Sequence, residues 1–153
     1  MPMPVRPLLT AGLLCAAGLA ACTHAPAAER AKHTAYIVDE MDAIREEAPP
    51  HGAIGMSTAY RISDGAVDRT MEFRKRALHP GAAVGPHPIG NDEVYYVLSG
   101  EGMVYSDGVE TPVTAGMAAY LYDGSVVGIR QTGTEPLVII IAYPLPDHPR
   151  MRR

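Results

Sequence analysis

The stretch GAAVGPHPIGNDEVYYVLSG, residues 81–100, places glycine, histidine and glutamate at the spacing Gly-x5-His-x5-Glu-x6-Gly. The residues that define this spacing are Gly81, His87, Glu93 and Gly100. A second stretch, GMAAYLYDGSVVGIRQ at residues 116–131, begins at Gly116 after a short gap and has matching spacing. We interpret the two stretches as a pair of related motifs, and the remaining predictions are built around them.

The sequence around the motifs predicts many short strands separated by glycine turns. Residues 93–99 (EVYYVLS) are dense in β-forming residues, and Asp107-Gly108 is a hairpin signal. Residues 137–142 (LVIIIA) are too few to span a membrane, and they predict a central strand buried between sheets. Regularly spaced short strands favour an all-β sandwich or small barrel.

Two segments before the first motif carry further predictions. Residues 35–48 (AYIVDEMDAIREEA) begin strand-like and turn helical at Asp39, which we predict to be the N-cap, and Pro49-Pro50 ends the segment. We therefore predict a short N-terminal helical arm. Residues 70–78 alternate as a strand, and we interpret the basic run at residues 74–76 as a solvated face.

The N-terminus is typical of a bacterial lipoprotein signal. An apolar run ends in Leu19-Ala20-Ala21-Cys22, which resembles a lipobox whose cysteine is lipidated. The plainer alternative is an ordinary cleaved signal peptide with an unrelated cysteine. Thr23 follows the cysteine where an aspartate would indicate inner-membrane retention. We therefore expect lipidation at Cys22 and a periplasm-facing protein in the bacterial cell envelope, at the outer membrane, with the lipid as its membrane anchor.

The expected organisation is a signal peptide (residues 1–22), a flexible tether (23–33), one domain (34–147) and a tail (148–153). The chain has two cysteines, Cys15 and Cys22, and neither remains as a free thiol in the mature domain. We therefore expect no disulfide bond and no thiolate nucleophile or metal ligand in the mature domain. The net charge of −4 and the absence of a basic stripe argue against a nucleic-acid partner.

Residues 81–131 resemble the cupin superfamily, whose first motif is Gly-x5-His-x-His-x3/4-Glu-x6-Gly. The resemblance implies a double-stranded β-helix of the jelly-roll type, so the predicted fold is an all-β cupin barrel with a short N-terminal helical arm. In the second motif, Gly-x5-Pro-x-Gly-x2-His-x3-Asn, only Gly116 and Gly124 are retained. Ile89 and Val127 stand where metal-binding histidines belong in the family.

The family holds a metal through three histidines and one glutamate, and this chain retains His87 and Glu93. Zinc and iron sites normally have three or four protein donors, so the resemblance implies an incomplete site. Oxygen donors from Asn91, Asp92 or Gln131 are one way to complete it, for a divalent metal such as Mn, Fe or Zn. The alternative is that no cofactor binds and His87 and Glu93 form a hydrogen-bonded pair inside the barrel.

Strand parity places further side chains in the barrel interior. The expected inward set is His87, Ile89, Glu93, Tyr95, Val97, Val127, Ile129 and Gln131. Tyr122, at the usual loop-proline position, is expected at the barrel mouth, whereas Arg130 is expected on the surface. The predicted ligand-binding residues are therefore His87, Glu93, Tyr95, Tyr122 and Gln131. The histidines at positions 24, 33, 51 and 148 belong to no recognisable catalytic or metal-binding motif.

Three functions follow as hypotheses. The first is a membrane-tethered cupin that binds a small molecule in its barrel without a full metal site. The second is a metal-dependent cupin enzyme, of the dioxygenase or isomerase type, with an altered ligand set. The third is assembly, because outward Tyr96, Leu98 and the apolar C-terminal strand offer a surface for a homodimer. The second and third hypotheses use family properties that the resemblance implies.

Overall fold

The computed structural model describes residues 32–145. The described residues from His33 onward form one compact unit. The predicted signal peptide with Cys22, the tether up to residue 31 and the tail lie outside the described residues. Within residues 32–145, no helix is both long enough and apolar enough to cross a membrane.

The described chain folds almost entirely into β-strands. Their bounds are β1 (Ile44–Glu47), β2 (Ser57–Tyr60), β3 (Met71–Leu78), β4 (Ala83–Pro88), β5 (Glu93–Ser99), β6 (Glu101–Ser106), β7 (Val109–Thr114), β8 (Ala118–Leu121), β9 (Val126–Gln131) and β10 (Leu137–Pro144). They pair antiparallel into a six-stranded sheet, β1-β2-β3-β10-β5-β8, and a four-stranded sheet, β4-β9-β6-β7. Two antiparallel sheets around one core are the jelly-roll architecture, so the predicted fold class is confirmed.

The N-terminal arm is shorter than the predicted helix. Asp39 does act as a cap, because its side chain accepts a 2.9 Å hydrogen bond from the Met41 backbone nitrogen. The helix it starts is a single 3₁₀ turn, Glu40–Ala43. From Ile44 the backbone is extended and pairs with β2 as β1. The helical expectation for residues 44–48 was therefore wrong, because edge pairing in the sheet outweighs helix propensity here.

Strand β3 presents its charged face to the interior. Glu72, Arg76 and Leu78 are 1%, 2% and 0% exposed, whereas Phe73 on the opposite face is 40% exposed. The predicted alternation is correct, but the interpretation of the basic run as a solvated face was wrong. The buried guanidinium of Arg76 is compensated by Glu47, 2.8 Å away on β1. Because a paired charge costs far less to bury than an isolated one, the charged face can point inward.

Two turns show why the glycines stand where they do. Asp107 and Gly108 both have positive φ, 46° and 89°, as a two-residue β6–β7 hairpin turn requires. At Gly100, with φ of 82°, a Cβ atom would lie 2.3 Å from the Pro136 carbonyl oxygen. Glycine is therefore the residue that fits the end of the first motif.

The apolar core lies between the two sheets. Strand β10 is central, between β3 and β5, as predicted. Leu137, Ile139 and Ile141 on its inner face are at most 7% exposed. Val138 and Ile140 face outward and are half-buried, so this strand is buried by the opposite sheet on one face and not on both.

Candidate functional site

The site is a cavity of about 80 Å³ in the barrel interior. Its wall combines two histidines, two arginines, a glutamate and two tyrosines with a few apolar groups. The lining residues are Pro50, His51, Arg74, Arg76, Val84, His87, Glu93, Tyr95, Ile141 and Tyr143. Three of the five predicted ligand-binding residues, His87, Glu93 and Tyr95, are therefore brought together. Titratable groups concentrated in one cavity mark it as the candidate functional site.

A hydrogen bond to the backbone fixes the tautomer of His87. Its Nδ1 lies 2.9 Å from the Gly85 carbonyl oxygen. A carbonyl oxygen can only accept, so Nδ1 carries the ring proton in the neutral imidazole. The lone pair then resides on Nε2, where it is available to a ligand in the cavity.

His51 is the second imidazole of the site, and the sequence did not reveal it. Its ring stacks on His87 with centroids 3.6 Å apart and planes 5° apart. His51 lies in the β1–β2 loop with φ of 58°, a left-handed conformation uncommon for a residue with a side chain. Burial and then the nearby His87 lower the pKa of His51. A histidine between a diproline and a glycine carries no motif, so no sequence signal could have placed it here.

The arginines of β3 give the cavity a cationic wall. Arg74 pairs with Glu72 at 3.0 Å, and its Nη2 also lies 3.4 Å from the Tyr143 hydroxyl. Arg76 donates to Ser57 Oγ at 2.6 Å and to Glu47 at 2.8 Å. These bonds leave Arg74 Nη1 without a hydrogen-bond partner among residues 32–145. One edge of that guanidinium therefore has no protein acceptor among the described residues.

The carboxylates paired with these arginines are fewer than the guanidinium groups. The network contains four guanidiniums, those of Arg61, Arg69, Arg74 and Arg76, and three carboxylates, those of Glu47, Asp64 and Glu72. Glu93 faces the same cavity, and burial raises the pKa of its carboxyl group above its ordinary value. When Glu93 is protonated, the network carries one net positive charge.

Tyr95 and Tyr143 contribute hydroxyl groups beside Glu93. Tyr95 is 3% exposed and hydrogen-bonds the Glu93 carboxyl group. Burial is the largest cause that raises the pKa of both phenols, so both remain neutral donors. The cavity therefore offers hydroxyl, imidazole and guanidinium groups within a small volume.

Tyr122 and Gln131 lie apart from the cavity lining. The Tyr122 side chain is 68% exposed and packs against Tyr120, with ring centroids 5.0 Å apart. The amide of buried Gln131 accepts from the Gly81 nitrogen at 2.8 Å and donates to the Gly133 and Glu135 carbonyl oxygens. Gln131 thus fastens the first motif to the β9–β10 loop, and ligand binding at either residue stays a prediction.

The donor set does not fit the metal that the family resemblance implies. Ile89 and Val127 are 6% and 0% exposed, so hydrocarbon fills the positions of two lost histidines. Among residues 32–145, no three His, Cys, Asp or Glu side chains are arranged to hold a metal ion. Two of the oxygen donors considered from sequence are also committed elsewhere, since Asp92 accepts from the Tyr120 hydroxyl at 2.6 Å and Gln131 accepts from the Gly81 nitrogen at 2.8 Å. We therefore assign no metal-dependent step to this site.

A larger cleft of about 900 Å³ lies elsewhere in the structure. It is open and lined by small and hydroxyl residues around Ser99, Thr114 and Thr134, together with Glu101 and Glu135. No histidine or arginine of the described residues lines this cleft. The smaller cavity is therefore the better candidate on chemical grounds, despite its size.

The chain is similar to known proteins over most of the described region. The cupin domain family matches residues 75–143. The "Oxalate-binding protein" of Thermotoga maritima is 36% identical over 66 residues, which cover 42% of this chain and 54% of that protein. The match thus spans about half the length of this curated relative.

Solved structures share the fold. A structure described as a predicted oxalate decarboxylase from Thermotoga maritima superposes with a TM-score of 0.64 and 24% identity, covering 72% of this chain and 99% of the other. The polyketide cyclase RemF from Streptomyces resistomycificus gives a TM-score of 0.61 at 18% identity, covering 72% and 80%. At these identities the likeness shows the fold alone. Residues 75–143 are similar to the cupin domain family, and the described strands share the fold of these structures.

Proposed function

We propose that this cupin domain binds a small carboxylate in its barrel cavity without a metal. The observation that carries the proposal is the pair of β3 arginines that line the cavity, of which Arg74 has no hydrogen-bond partner at Nη1 among the described residues. A guanidinium matches a carboxylate in charge and in planar geometry. One carboxylate also neutralises the net positive charge that remains when Glu93 is protonated.

The size of the cavity limits the ligand. Its volume of about 80 Å³ is well below the roughly 300–1,000 Å³ typical of sites for larger ligands. The ligand is therefore an acid of only a few heavy atoms. The name of the Thermotoga maritima relative, "Oxalate-binding protein", supports oxalate as the first ligand to test.

The test combines metal content with ligand-induced stabilisation. Elemental analysis of the purified protein should give substoichiometric metal that His87→Ala leaves unchanged, and oxalate should raise the Tm after chelator treatment. A ligand at 100 times its Kd stabilises the folded state by about 2.7 kcal/mol. Near one metal per chain, lost in His87→Ala, would instead favour the metal-dependent enzyme. A Tm unaffected by oxalate and other small carboxylates would contradict the proposal.

We further propose that the protein is a periplasm-facing lipoprotein of the bacterial envelope, tethered through Cys22. The lipobox-like residues 19–22 support this location. Mass spectrometry of membrane-extracted protein should show a chain that begins at Cys22 and carries lipid. An unmodified N-terminus in the soluble fraction would contradict it.

We also propose that the domain forms a homodimer through the outer face of the six-stranded sheet. Phe73, Tyr96 and Leu98 on this face are 40%, 42% and 46% exposed, and half-buried Ile140 lies beside Tyr96 in the pairing register. Contiguous exposed apolar residues on one sheet face are typical of an interface. Sedimentation should give a dimer that Leu98→Lys converts to monomer, whereas a monomeric wild type at micromolar concentration would contradict this.

A further inference from the structure

We propose that the N-terminal arm carries an apolar surface that inserts into the head-group region of the membrane to which the chain is tethered. We call it the arm surface, and its residues are Tyr36, Ile37, Met41 and Val67. This inference rests on the lipoprotein location proposed above, because the tether brings the surface to the membrane. It involves neither the barrel cavity nor the outer sheet face of the proposed dimer.

The four side chains of the arm surface are apolar and exposed. Tyr36, Ile37, Met41 and Val67 are 46%, 89%, 66% and 66% exposed. Among the large hydrophobic residues of the described chain, Ile37 is the most exposed. A single exposed apolar residue is ordinary on a soluble protein, whereas several that share one small surface mark an interaction site.

Two contacts bring Val67 to the arm. The Tyr36 ring lies against the turn that precedes Val67, since a Cβ atom at Gly65 would be 2.5 Å from the Tyr36 hydroxyl oxygen. On the other side of Val67, a carboxylate oxygen of Asp68 lies 3.0 Å from His33 Nε2. Because the chain contacts the arm both before and after Val67, this side chain and those of the arm belong to one surface.

The length of chain before the arm points to the membrane as the partner of this surface. Ten residues lie between Cys22, the proposed lipidation site, and His33. Ten residues span at most about 35 Å even when fully extended, so His33 stays close to the bilayer that holds the lipid. The arm surface begins three residues after His33 and is therefore the part of the domain nearest the anchor along the chain.

The charges beside the arm surface decide the kind of lipid contact. Asp39 and Asp42 are exposed next to Ile37 and Met41, and an anionic lipid surface repels acidic groups. The contact is therefore made by apolar insertion and not by charge. Tyr36 adds a hydroxyl group, and tyrosine side chains favour the boundary between lipid and water. We expect the surface to bind a zwitterionic bilayer, with no loss of binding at high salt.

The experiment uses tryptophan as a depth probe, because the chain contains none. Ile37→Trp and Met56→Trp are made in the full chain and extracted from membranes. They are then reconstituted into vesicles of phosphatidylethanolamine and phosphatidylcholine with brominated acyl chains, which quench only nearby tryptophan. Because an interfacial surface is buried about 5–10 Å into the bilayer, we expect Ile37→Trp to be quenched at least about threefold more than Met56→Trp.

Met56 is the matched control position, because it is 47% exposed and lies at the far end of β3. Its carbonyl oxygen accepts a 3.1 Å hydrogen bond from the nitrogen of His79, which follows β3, whereas the arm contacts the chain that precedes β3. The eight residues of β3 separate the two ends by roughly 23 Å. In the Ile37→Trp background, Val67→Glu should reduce quenching to the level of Met56→Trp, and Met56→Glu should leave it unchanged.

Mass spectrometry of the same samples separates the possible failures. Equal quenching of the two probes in a lipidated chain overturns the membrane contact and leaves the tether intact. A chain without lipid at Cys22 overturns the tether and the contact together.

Three further results would overturn the assigned surface. They are quenching that requires anionic lipid, quenching that folded Val67→Glu leaves unchanged, and blue-shifted emission of Ile37→Trp before vesicles are added. The last result would assign the surface to a second copy of the chain. Circular dichroism shows whether Val67→Glu stays folded, and the comparison of the two tryptophan positions does not depend on that variant.

Discussion

The inner faces of β9 and β3 line the same barrel but differ in chemistry. On β9 the inward residues Val127 and Ile129 are 0% and 2% exposed hydrocarbon. On β3 the inward residues Glu72 and Arg76 are equally buried and charged. In the family that this domain resembles, the metal ligands lie at positions on or beside β4, on β5 and on β9. Here His87 and Glu93 remain on β4 and β5, hydrocarbon occupies the β9 position, and the cavity also has two arginines from β3 and His51 from the β1–β2 loop.

The largest expected effect on stability comes from removing a buried charge from the inner face of β3. Arg76→Ala should destabilise the fold by about 3 kcal/mol, because it removes one of the two arginine partners of Glu47 and leaves Ser57 Oγ without its donor. Chemical denaturation measures this. Arg130→Ala is the control, since Arg130 and Glu110 form an exposed pair, and it should leave the free energy of unfolding nearly unchanged. Equal effects of the two substitutions would show that the inner charges of β3 are not structurally important.

The next prediction restores metal donors at the end of β4 and on β9. The double variant Ile89→His, Val127→His returns histidines to the two positions that the family resemblance marks as metal ligands. We expect it to be less stable than the wild type without metal, and to gain about 2.7 kcal/mol when zinc is present at 100 times its Kd. Calorimetry with and without zinc checks this. If zinc stabilises the wild type as much as the double variant, the wild type already binds metal and the contrast between the inner faces of β9 and β3 is wrong.

A smaller effect should depend on pH. Burial raises the pKa of Glu93 in the folded state, so its unfavourable contribution is absent below the unfolded pKa, grows as pH rises from the unfolded to the folded pKa, and is complete above the folded one. Glu93→Gln should therefore become more stable relative to wild type between about pH 4 and pH 7. Paired thermal unfolding at the two pH values measures the change. Relative stability that falls over this range would mean that Glu93 is stabilised as a carboxylate.

The smallest predicted effect on stability is in the N-terminal arm, away from β3 and β9. Asp39→Ala removes the cap of the 3₁₀ turn and should cost about 0.5 kcal/mol, at the low end for caps because the turn is short and exposed. Asp39→Asn, which keeps an acceptor oxygen, should recover most of that loss. A loss above roughly 2 kcal/mol would show that the arm supports β1 more than its contacts indicate.

Much of the fold was predictable because it depends on local spacing. The paired motifs, the Asp107-Gly108 hairpin and the outward position of Arg130 all follow from turn chemistry and strand parity. Parity also divided β3 into its two faces. It could not decide which face points inward, because the compensating carboxylate of Glu47 comes from a distant strand.

The same limit applies to the candidate site. His87, Glu93 and Tyr95 were predictable because they follow the first motif at fixed spacing. His51 was not, because it reaches the cavity through a loop whose backbone conformation has no sequence signature. The resemblance described the positions that lost their donors, and the structure shows which groups now surround the cavity.

The most direct test of this account is the affinity of chelator-treated protein for oxalate, measured by isothermal titration in wild type, Arg74→Met and Arg130→Met. If the Arg74 guanidinium on β3 binds the carboxylate, wild type and Arg130→Met should bind oxalate alike. Arg74→Met should bind it at least tenfold more weakly, which is a loss of about 1.4 kcal/mol in binding free energy. Methionine retains much of the apolar stem, so the variant tests the guanidinium group. Equal affinity in all three proteins, or binding only after metal is added, would contradict the account.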